Sequence, residues 1–367
     1  MTPAALARKL VAILNRVALA LVLAACLAGL GAGGRADADG THQAAPGDTL
    51  RIATYNVQFV TPDLPLVGQL LREWPGHKPN VTARAEAIAA RLACFDVVAL
   101  QETINDHRRR EIFERLETEG RACGKRSRLP SGRMFAVVDG PDVEDGSWLP
   151  VVGDELALAS RLPIVATGSH VYEHAAKEDA LAAKGVLHAR LARGSALVID
   201  VFVTHLQAGN EHGAVRRRQI EELARFIRAT VDGAAHPILV LGDFNVRGAL
   251  VDRQAPASDY RFLQRTLRAA VARPLVDAWL ATHAADPDAG SGTKPRLRAD
   301  GTLRTHEERI DYMFLAGAAP RAMRRDFFAS DLIVDGEPVG PLSDHAALLA
   351  EISWPKPGPP HQVASDP

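Results

Sequence analysis

The sequence predicts an α/β protein of the α+β kind, in which β-sheets pack on each other and helices cover them from outside. Strand-like apolar runs outnumber helical segments, and several strands follow each other directly. This pattern favours packed sheets over a strictly alternating parallel wind. From about Thr49 to Trp354 the composition is uniform, without repeats, low-complexity inserts or a linker, which predicts one domain of about 300 residues.

The individual elements follow from the period of the apolar residues. The predicted strands are residues 50–57, 96–102, 134–138, 155–160, 185–191, 196–206, 238–245, 310–315 and 345–352. The predicted helices are residues 82–93, 108–118 and 214–231. In the last of these, Ile220, Leu223 and Ile227 lie three and four positions apart, with charged residues on the opposite face, which is typical of an amphipathic helix.

The first 38 residues have the pattern of a secretory signal peptide. Arg8, Lys9 and Arg16 precede an apolar stretch (17–34), and a polar stretch follows it. The apolar stretch is shorter than the roughly 20 residues that a membrane-spanning helix needs, and its basic and small flanking residues are typical of export signals. We therefore expect a secreted or periplasmic protein.

Two processing sites fit this signal. The sequence "LAAC" ending at Cys26 resembles a bacterial lipoprotein box, which would give a lipid anchor on that cysteine, whereas "ADA" at 36–38 suits ordinary signal peptidase. The apolar run continues past Cys26, which favours simple secretion. The predicted organisation is then a signal peptide at 1–38, a linker at 39–49, a folded domain at 50–354 and a Pro-rich disordered tail at 355–367.

The charge of the chain without its predicted signal peptide restricts the kinds of partner that it could bind. Without its first 38 residues the chain has 39 basic and 43 acidic residues, which weighs against a protein that holds long polyanions by bulk charge. Two arginine clusters, 108–110 and 216–218, could still contact a polyanion, or they could form solvated helix faces.

Two cysteines remain after the signal, Cys94 and Cys123. Export to an oxidising compartment permits a disulfide between them. Closing a loop of this length would stabilise the fold by about 3 to 4 kcal/mol in the chain-entropy model. Two free buried thiols are the alternative.

Polar residues directly follow the aliphatic run of "ILVLGDFNV" (238–246). The alternation of side chains along a strand places Asp243 and Asn245 on one face, with Phe244 on the other. Removing a carboxylate from water costs several kcal/mol unless a cation or hydrogen-bond donors meet it. A metal or a bound phosphate would do so, and a surface turn is the alternative.

The same observation recurs at five other predicted strand ends, which carry Asn56, Gln101 with Glu102, Thr204 with His205, Asp311, and Asp344 with His345. If these ends meet, the carboxylates repel one another unless a divalent cation or a protonated histidine lies among them. Oxygen ligands without cysteine favour Mg²⁺, Mn²⁺ or Ca²⁺, as one or two ions. The histidines are then acids, bases or phosphate-stabilising groups, and the chemistry is hydrolysis at a phosphate.

Seven motifs resemble, in order, those of the endonuclease/exonuclease/phosphatase superfamily. They are "TYNVQ", "VVALQET", "LALASRLPI", "VTHLQAG", "GDFN", "RIDYMF" and "LSDHAALLAEI", and they span roughly residues 50–352. This resemblance implies a four-layer α/β/β/α sandwich of two packed, mainly antiparallel sheets with outer helices.

The resemblance also implies roles for the residues at the strand ends. On the metal side, Glu102 resembles the principal metal-binding glutamate, Asn56 its neighbour, and Asp344 a further metal-side or histidine-positioning acid.

Five residues resemble those that carry out the reaction. His205 resembles the histidine that stabilises the phosphate and assists the leaving oxygen, and Asp243 and Asn245 the pair that holds the attacking water and the phosphate. His345 resembles the general base and Asp311 the carboxylate that orients it. Asp243 is the alternative base.

The substrate is predicted from one segment and one motif. Residues 172–191, in which small and acidic residues precede Lys184 and Gly185, resemble secreted bacterial neutral sphingomyelinases, as does the "THLQAG" motif. This resemblance implies a sphingomyelinase or phospholipase C-like phosphodiesterase, with Lys184 and Asn245 binding substrate. A solvated loop lysine is the alternative interpretation of Lys184.

Other functions remain open at this point. The interval 247–309 lacks the exposed aromatic cluster that lipid-acting members use. A secreted deoxyribonuclease-like enzyme could use Arg108 to Arg110, Lys125, Arg126 and Arg128 on a nucleic-acid backbone. An inositol-polyphosphate-type phosphatase and a catalytically idle binding protein are further alternatives. We expect a monomer that makes at most transient contact with a membrane surface.

Overall fold

The computed structural model describes residues 49–60, 81–124, 128–141, 155–193, 197–231, 233, 236–248, 258–286, 291–294, 308–329, 332–334 and 336–353. The predicted signal peptide, the possible anchor at Cys26, nearly all of the linker and the predicted tail lie outside the described residues. The described residues belong to one compact unit. None of their helices is long and apolar enough to cross a membrane.

Two six-stranded sheets and one small hairpin contain the strands of the described residues. The strands are β1 Thr49–Asn56, β2 Val97–Gln101, β3 Ala136–Gly140, β4 Leu156–Ser160, β5 Ile164–Val171, β6 Gly185–Arg193, β7 Leu197–His205, β8 Ile238–Asp243, β9 Val276–Asp277, β10 Asp311–Ala316, β11 Ala319–Asp326, β12 Ile333–Val334, β13 Glu337–Pro338 and β14 Ala347–Ser353.

The helices lie mostly between consecutive strands. They are α1 Thr82–Leu92, α2 Asp106–Gly120, α3 Gly213–Val231, α4 Ser258–Val271 and α5 Ala278–Thr282, with short 3₁₀ turns at Lys177–Leu181 and Asn210–His212. Asn105 caps α2, because its side chain accepts the N–H of Arg108.

The first sheet has the strand order β11-β14-β1-β2-β4-β3, and the second has the order β5-β6-β7-β8-β10-β9. One pair in each sheet is parallel, β1 with β2 and β7 with β8, and all other pairs within the two sheets are antiparallel. Each parallel pair needs a crossover connection, which α1 and α3 supply. The prediction of two mainly antiparallel sheets is therefore confirmed.

Three apolar clusters separate four layers. Side chains such as Ile52, Leu158 and Leu241 form a core between the sheets. A second cluster packs α1 and α2 on the outer face of the first sheet, and a third packs α3 and α4 on the outer face of the second. The four-layer sandwich with outer helices is thus confirmed.

Two long strands, β5 and β11, were not predicted. Both lie at a sheet edge, and most of their side chains are exposed or half-buried. A strand that buries few side chains has little apolar periodicity, which explains why the pattern did not reveal it. The last predicted strand began too early, because β14 starts at Ala347 and leaves Asp344 and His345 in the preceding loop.

The predicted disulfide between Cys94 and Cys123 is present, with Cα atoms 5.3 Å apart. Cys94 follows α1 and Cys123 follows α2, so the bond joins the two helices that cover the first sheet.

Candidate active site

A row of polar side chains crosses the second sheet at one end of the inter-sheet core. His205 ends β7, Asp243 ends β8 and Asp311 begins β10, and the register pairs Asp243 with both neighbours. The residues two positions further into these strands belong to the inter-sheet core. Because side chains alternate along a strand, the polar row points to that same side, towards the first sheet.

The first sheet contributes Asn56, which ends β1, and Glu102, which follows β2. Asn56 Nδ2 donates to Glu102 Oε1 at 2.9 Å and to Asp243 Oδ2 at 3.2 Å. One buried amide therefore joins the polar ends of the two sheets. The strand ends of the two central parallel pairs meet here, as predicted from the sequence.

Gly242 determines how closely β7 and β8 approach beside this row. Its φ is +134°, and a Cβ at this position would lie 2.0 Å from the carbonyl oxygen of Thr204. This distance is far below the separation of any two non-bonded carbon and oxygen atoms, so position 242 requires glycine. This explains the glycine between the aliphatic run and Asp243.

Asp243 and Asn245 both reach the site, whereas Phe244 packs into the outer core. The Asn245 backbone N–H donates to Asp243 Oδ1 at 2.9 Å, and its Nδ2 lies 3.2 Å from His205 Nε2. Asp243 is 1% exposed, which excludes the interpretation of this residue as a solvated surface turn.

Glu155, Lys184 and His205 form a group that we call the His205 cluster. His205 Nδ1 makes a short hydrogen bond with Glu155 Oε1. Lys184 Nζ lies 3.3 Å from the same oxygen and 2.9 Å from His205 Nε2. Lys184 is 4% exposed, so the interpretation as a solvated loop lysine is wrong. Its ammonium also lies 3.7 Å from Asp179 Oδ1.

Glu155 is the counter-charge of the His205 cluster. Burial disfavours the charged form of Glu155, but His205 and Lys184 outweigh burial and lower the pKa of Glu155 to about 2. Burial and the nearby Lys184 disfavour the charged form of His205, but Glu155 and Asp243 together outweigh them and raise the pKa of His205. The cluster is therefore a buried, charge-compensated unit.

Lys294, Asp311 and His345 form the second group, which we call the His345 cluster. His345 Nδ1 lies 2.9 Å from Asp311 Oδ2, and His345 Nε2 lies 3.0 Å from Lys294 Nζ and 3.6 Å from Asp243 Oδ2. Burial disfavours the charged form of His345, but the carboxylates of Asp311, Asp243 and Asp344 together outweigh burial and raise the pKa of His345 to about 9. Burial also raises the pKa of Asp311, which His345 offsets only in part.

The loop that carries Asp344 and His345 is tied to the first sheet. Ser343 Oγ donates to the carbonyl oxygen of Asn56 at 2.6 Å and accepts the His345 N–H at 3.2 Å. The placement of His345 beside the polar row therefore depends on a hydrogen bond between this loop and the end of β1.

The three residues predicted on the metal side fit a hard divalent cation. Asn56, Glu102 and Asp344 offer only oxygen ligands of the kind that Mg²⁺, Mn²⁺ and Ca²⁺ prefer. Burial raises the pKa of Glu102, and the nearby Asp344 adds to this effect while His205 opposes it. Among the described residues, the buried Asp344 Oδ1 accepts no hydrogen bond. A cation would relieve both unfavourable features.

A second arrangement of possible ligands overlaps the first. Asp243, Asp311 and His345 each offer one ligand atom within 4.8 Å of the others. His345 Nδ1 and Asp311 already bond each other, so an ion would have to use His345 Nε2. Both sets offer oxygen ligands for a hard cation, and the second adds one imidazole nitrogen.

Left-handed backbone conformations mark the ends of the two parallel pairs. Gln58, Glu102 and Asn245 have φ values of 54°, 57° and 49°, which are uncommon for residues other than glycine. Each lies one or two positions past the end of a central strand at the site, and such conformations tend to occur where function requires them.

Two residues of the site were not predicted from the sequence. Glu155 immediately precedes β4, and an acid at the border of an apolar strand was the same signal that identified Asp311. Lys294 comes from a loop without apolar periodicity, and no sequence pattern pointed to it.

Known proteins resemble parts of this chain. Sphingomyelin phosphodiesterase 5 of Mus musculus is 32% identical over 111 residues, which cover 27% of this chain and 23% of that protein. A sphingomyelinase of Dictyostelium discoideum is 24% identical over 204 residues, which cover 47% of this chain and 42% of that protein. The chain thus spans less than half the length of either curated relative.

Solved structures share the fold over most of the chain. A Staphylococcus aureus beta toxin has a TM-score of 0.55 at 15% identity, covering 82% of this chain and 99% of its own. Sphingomyelinase C from Streptomyces griseocarneus has a TM-score of 0.53 at 20% identity, covering 83% and 99%. D. rerio TDP2 with a single-strand DNA product has a TM-score of 0.53 at 15% identity, covering 84% and 100%.

The profile of the Endonuclease/Exonuclease/phosphatase family matches residues 53–345. This interval extends from β1 to His345 and includes every residue of the polar row and of both histidine clusters. The order of the sequence motifs, the four-layer sandwich and the profile agree. The chain belongs to the endonuclease/exonuclease/phosphatase family.

Proposed function

We propose that this chain is a secreted, divalent-metal-dependent phosphodiesterase of the sphingomyelinase or phospholipase C type. The observation that carries the proposal is the meeting of Asn56, Glu102 and His345, which lie at strand ends of the first sheet, with His205 and Asp243 at strand ends of the second. Oxygen ligands and two histidines with buried carboxylate partners suit in-line attack of water on a phosphate ester.

The protein side chains would divide the proton transfers between them. Asp311 holds His345 through Nδ1, so Nε2 is the nitrogen that would accept the proton of the attacking water. The pKa of His345 is raised to about 9, so this role belongs to the neutral form of the ring, whose share grows as the pH rises towards 9. Asp243, 3.6 Å from that nitrogen, is the alternative acceptor. His205, held by Glu155 on the other side of Asp243, would stabilise the phosphate and assist the leaving oxygen.

Asn56, Glu102 and Asp344 would hold the metal, which we propose to be Mg²⁺, with Mn²⁺ or Ca²⁺ as alternatives. When bound, such an ion stabilises negative charge on a nonbridging phosphate oxygen and lowers the pKa of a coordinated water. Asn245, which donates its backbone N–H to Asp243, would orient that carboxylate and contact the phosphate. Lys184 would act through the ring of His205, because its ammonium is buried against that ring.

The relatives support a phospholipid substrate. Both curated relatives are named for sphingomyelin cleavage, and one structural neighbour is a sphingomyelinase C. Neither curated match extends over half of the relative, so the proposal of a substrate rests on the matched part. Export, a monomeric state and transient contact with a membrane surface are parts of the same proposal and follow from the sequence pattern.

A nuclease is the second candidate, because TDP2 with a single-strand DNA product shares the fold. The arginine clusters that would hold a nucleic acid are largely committed elsewhere. Arg109 is 6% exposed and pairs with Asp106 and Asp139, and Arg108 pairs with Glu111. These ion pairs favour the phospholipid substrate. The inositol phosphatase and the idle binding protein are the remaining outcomes of the test.

The test is a parallel assay of the purified protein with and without Mg²⁺ on sphingomyelin vesicles, plasmid DNA, inositol phosphates and bis-p-nitrophenyl phosphate. We expect metal-dependent cleavage, fastest on sphingomyelin, and a loss of about 10²- to 10³-fold in Glu102→Gln. Glu114→Gln, on the exposed side of α2, is the matched control and should retain full activity. Fastest cleavage of DNA would favour the nuclease, and no cleavage of any ester would refute the enzyme.

A further inference from the structure

Lys294 enters the His345 cluster from a loop whose backbone is fixed. Its N–H donates to the carbonyl oxygen of Glu308 at 2.9 Å, and the Glu308 N–H donates back at 3.0 Å. The preceding Thr293 is 0% exposed, accepts the Asp311 N–H on its hydroxyl at 3.2 Å, and accepts the Ala346 N–H on its carbonyl oxygen at 2.7 Å. Lys294 therefore differs from a surface lysine, because only its side chain can move.

The Lys294 ammonium contacts the site from its metal side. Nζ lies 3.2 Å from Asp344 Oδ2 and 3.0 Å from His345 Nε2. The side chain remains 37% exposed. An ammonium has three N–H donors. Asp344 and the His345 ring can take at most two of them, which leaves one for an anionic oxygen.

The position of Lys294 bears on the number of metal ions. Asp344 is the acid that the sequence assigned to the metal side, and Lys294 occupies one of its two oxygens. A second divalent ion bound at Asp344 or at His345 Nε2 would lie beside the Lys294 ammonium, because that ammonium contacts both residues. Repulsion between an ammonium and a divalent ion at such short range is large at any plausible dielectric constant.

We propose that Lys294 is a built-in cation that takes the place of a second divalent ion. The chain then binds one ion, at Asn56, Glu102 and the remaining oxygen of Asp344, and Lys294 supplies the other positive charge to a nonbridging oxygen of the phosphate. The second half of this inference rests on the proposed phosphodiesterase function. The predicted number of bound ions does not rest on that function, because the ions are counted without substrate.

The first experiment counts bound Mn²⁺ on the full-length protein by calorimetry and by the electron paramagnetic resonance signal of free Mn²⁺. We expect one ion per chain in the wild type and in Lys294→Arg. Lys294→Gln should bind a second ion or bind the first about tenfold more tightly, because a fixed positive charge is lost. Lys177→Gln, an exposed lysine paired with Glu211, is the matched control and should bind as the wild type does.

Two results would overturn the metal part of the inference. One is a wild type that binds two ions, and the other is a Lys294→Gln protein with unchanged count and affinity. Circular dichroism and the thermal midpoint of each variant establish that it is folded before its ions are counted.

The second experiment measures binding of inorganic phosphate to the Mn²⁺-loaded proteins. Lys294→Gln should bind phosphate about tenfold more weakly, since an ion pair to phosphate is lost, and Lys294→Arg should restore most of the affinity. Equal phosphate affinity in all three proteins would refute the phosphate contact. If no protein cleaves any phosphodiester, the proposed function fails, whereas the ion count and phosphate affinity still decide the role of Lys294.

Discussion

The His205 cluster and the His345 cluster use the same three kinds of side chain in different surroundings. In each, one ring nitrogen of a histidine bonds a buried carboxylate, and a lysine ammonium lies against the ring. Lys184 is 4% exposed, whereas the side chain of Lys294 is 37% exposed. The His205 cluster is thus shielded from solvent, whereas the His345 cluster is partly exposed on the metal side of the site.

The carboxylates of the two clusters show what this difference does. Glu155 has its pKa lowered, because two cations outweigh its burial, whereas Asp311 has its pKa raised by burial and by Asp243. The ionised form of Glu155 is thus stabilised by folding, and that of Asp311 is disfavoured. We infer that the His205 cluster contributes to stability as well as to the reaction, and that the His345 cluster is maintained for the reaction.

The largest expected effect comes from removing either histidine. His205→Ala and His345→Ala should each lower kcat by about 10²- to 10⁴-fold, because each loses a group that handles protons or the phosphate. Steady-state hydrolysis of bis-p-nitrophenyl phosphate measures this. His107→Ala, whose side chain is 55% exposed on α2, is the control. Wild-type rates in either histidine variant would remove that cluster from the reaction.

Substitutions of the two carboxylates should distinguish the clusters more clearly, because they affect stability and kcat differently. Glu155→Gln leaves Lys184 and His205 without their buried counter-charge, so the free energy of unfolding should fall by about 3 kcal/mol. Asp311→Asn removes the counter-charge of His345 but also a charge that burial disfavours, so its unfolding free energy should fall by less than that of Glu155→Gln, while kcat falls about 10²-fold. Urea unfolding and kinetics of both variants test this contrast. Equal destabilisation would show that the clusters are energetically alike.

The stability difference between the wild type and Glu155→Gln should depend on pH. The pKa of Glu155 is about 2 in the folded state and near 4.5 otherwise, so its contribution is complete above about pH 4.5 and is lost as the pH falls towards 2. The gap between the two unfolding free energies should therefore be full above about pH 5 and close as the pH falls towards 2. A gap that stays constant down to pH 2 would contradict the lowered pKa.

The smallest effect on activity is expected from the disulfide, which joins the outer helices away from both clusters. Replacing Cys94 and Cys123 by serine should lower the free energy of unfolding by about 3 kcal/mol, because the unfolded chain regains the freedom of the closed loop. The kcat of the folded protein should change less than about twofold. A large fall in kcat without unfolding would show that the helix layer influences the site.

Sequence patterns predicted most of the site because most of its residues end central strands. Asn56, Glu102, His205 and Asp243 follow long apolar runs, and strand register alone brings such residues together. Glu155 carries a similar signal before β4. Each of these positions is determined locally, by where a buried strand ends.

Lys294 could not be predicted in this way, because its position depends on one isolated bridge to Glu308. That contact joins two loops, and no periodicity of apolar residues records it. The edge strands β5 and β11 escaped prediction for a related reason, since they bury too little to show a pattern. The strands that pack in the core can be predicted from the sequence. The loops and edge strands that lie against the core cannot, because their positions depend on tertiary contacts.

Gly242 lets the backbones of β7 and β8 approach each other closely because it has no side chain. A methyl group there would meet the Thr204 carbonyl oxygen at 2.0 Å, and the neighbours of these two residues, His205 and Asp243, lie opposite each other across the same pair of strands. The separation between an imidazole and a carboxylate is thus set by backbone touching backbone. A redesign of this enzyme must therefore retain glycine at position 242, whatever else it changes.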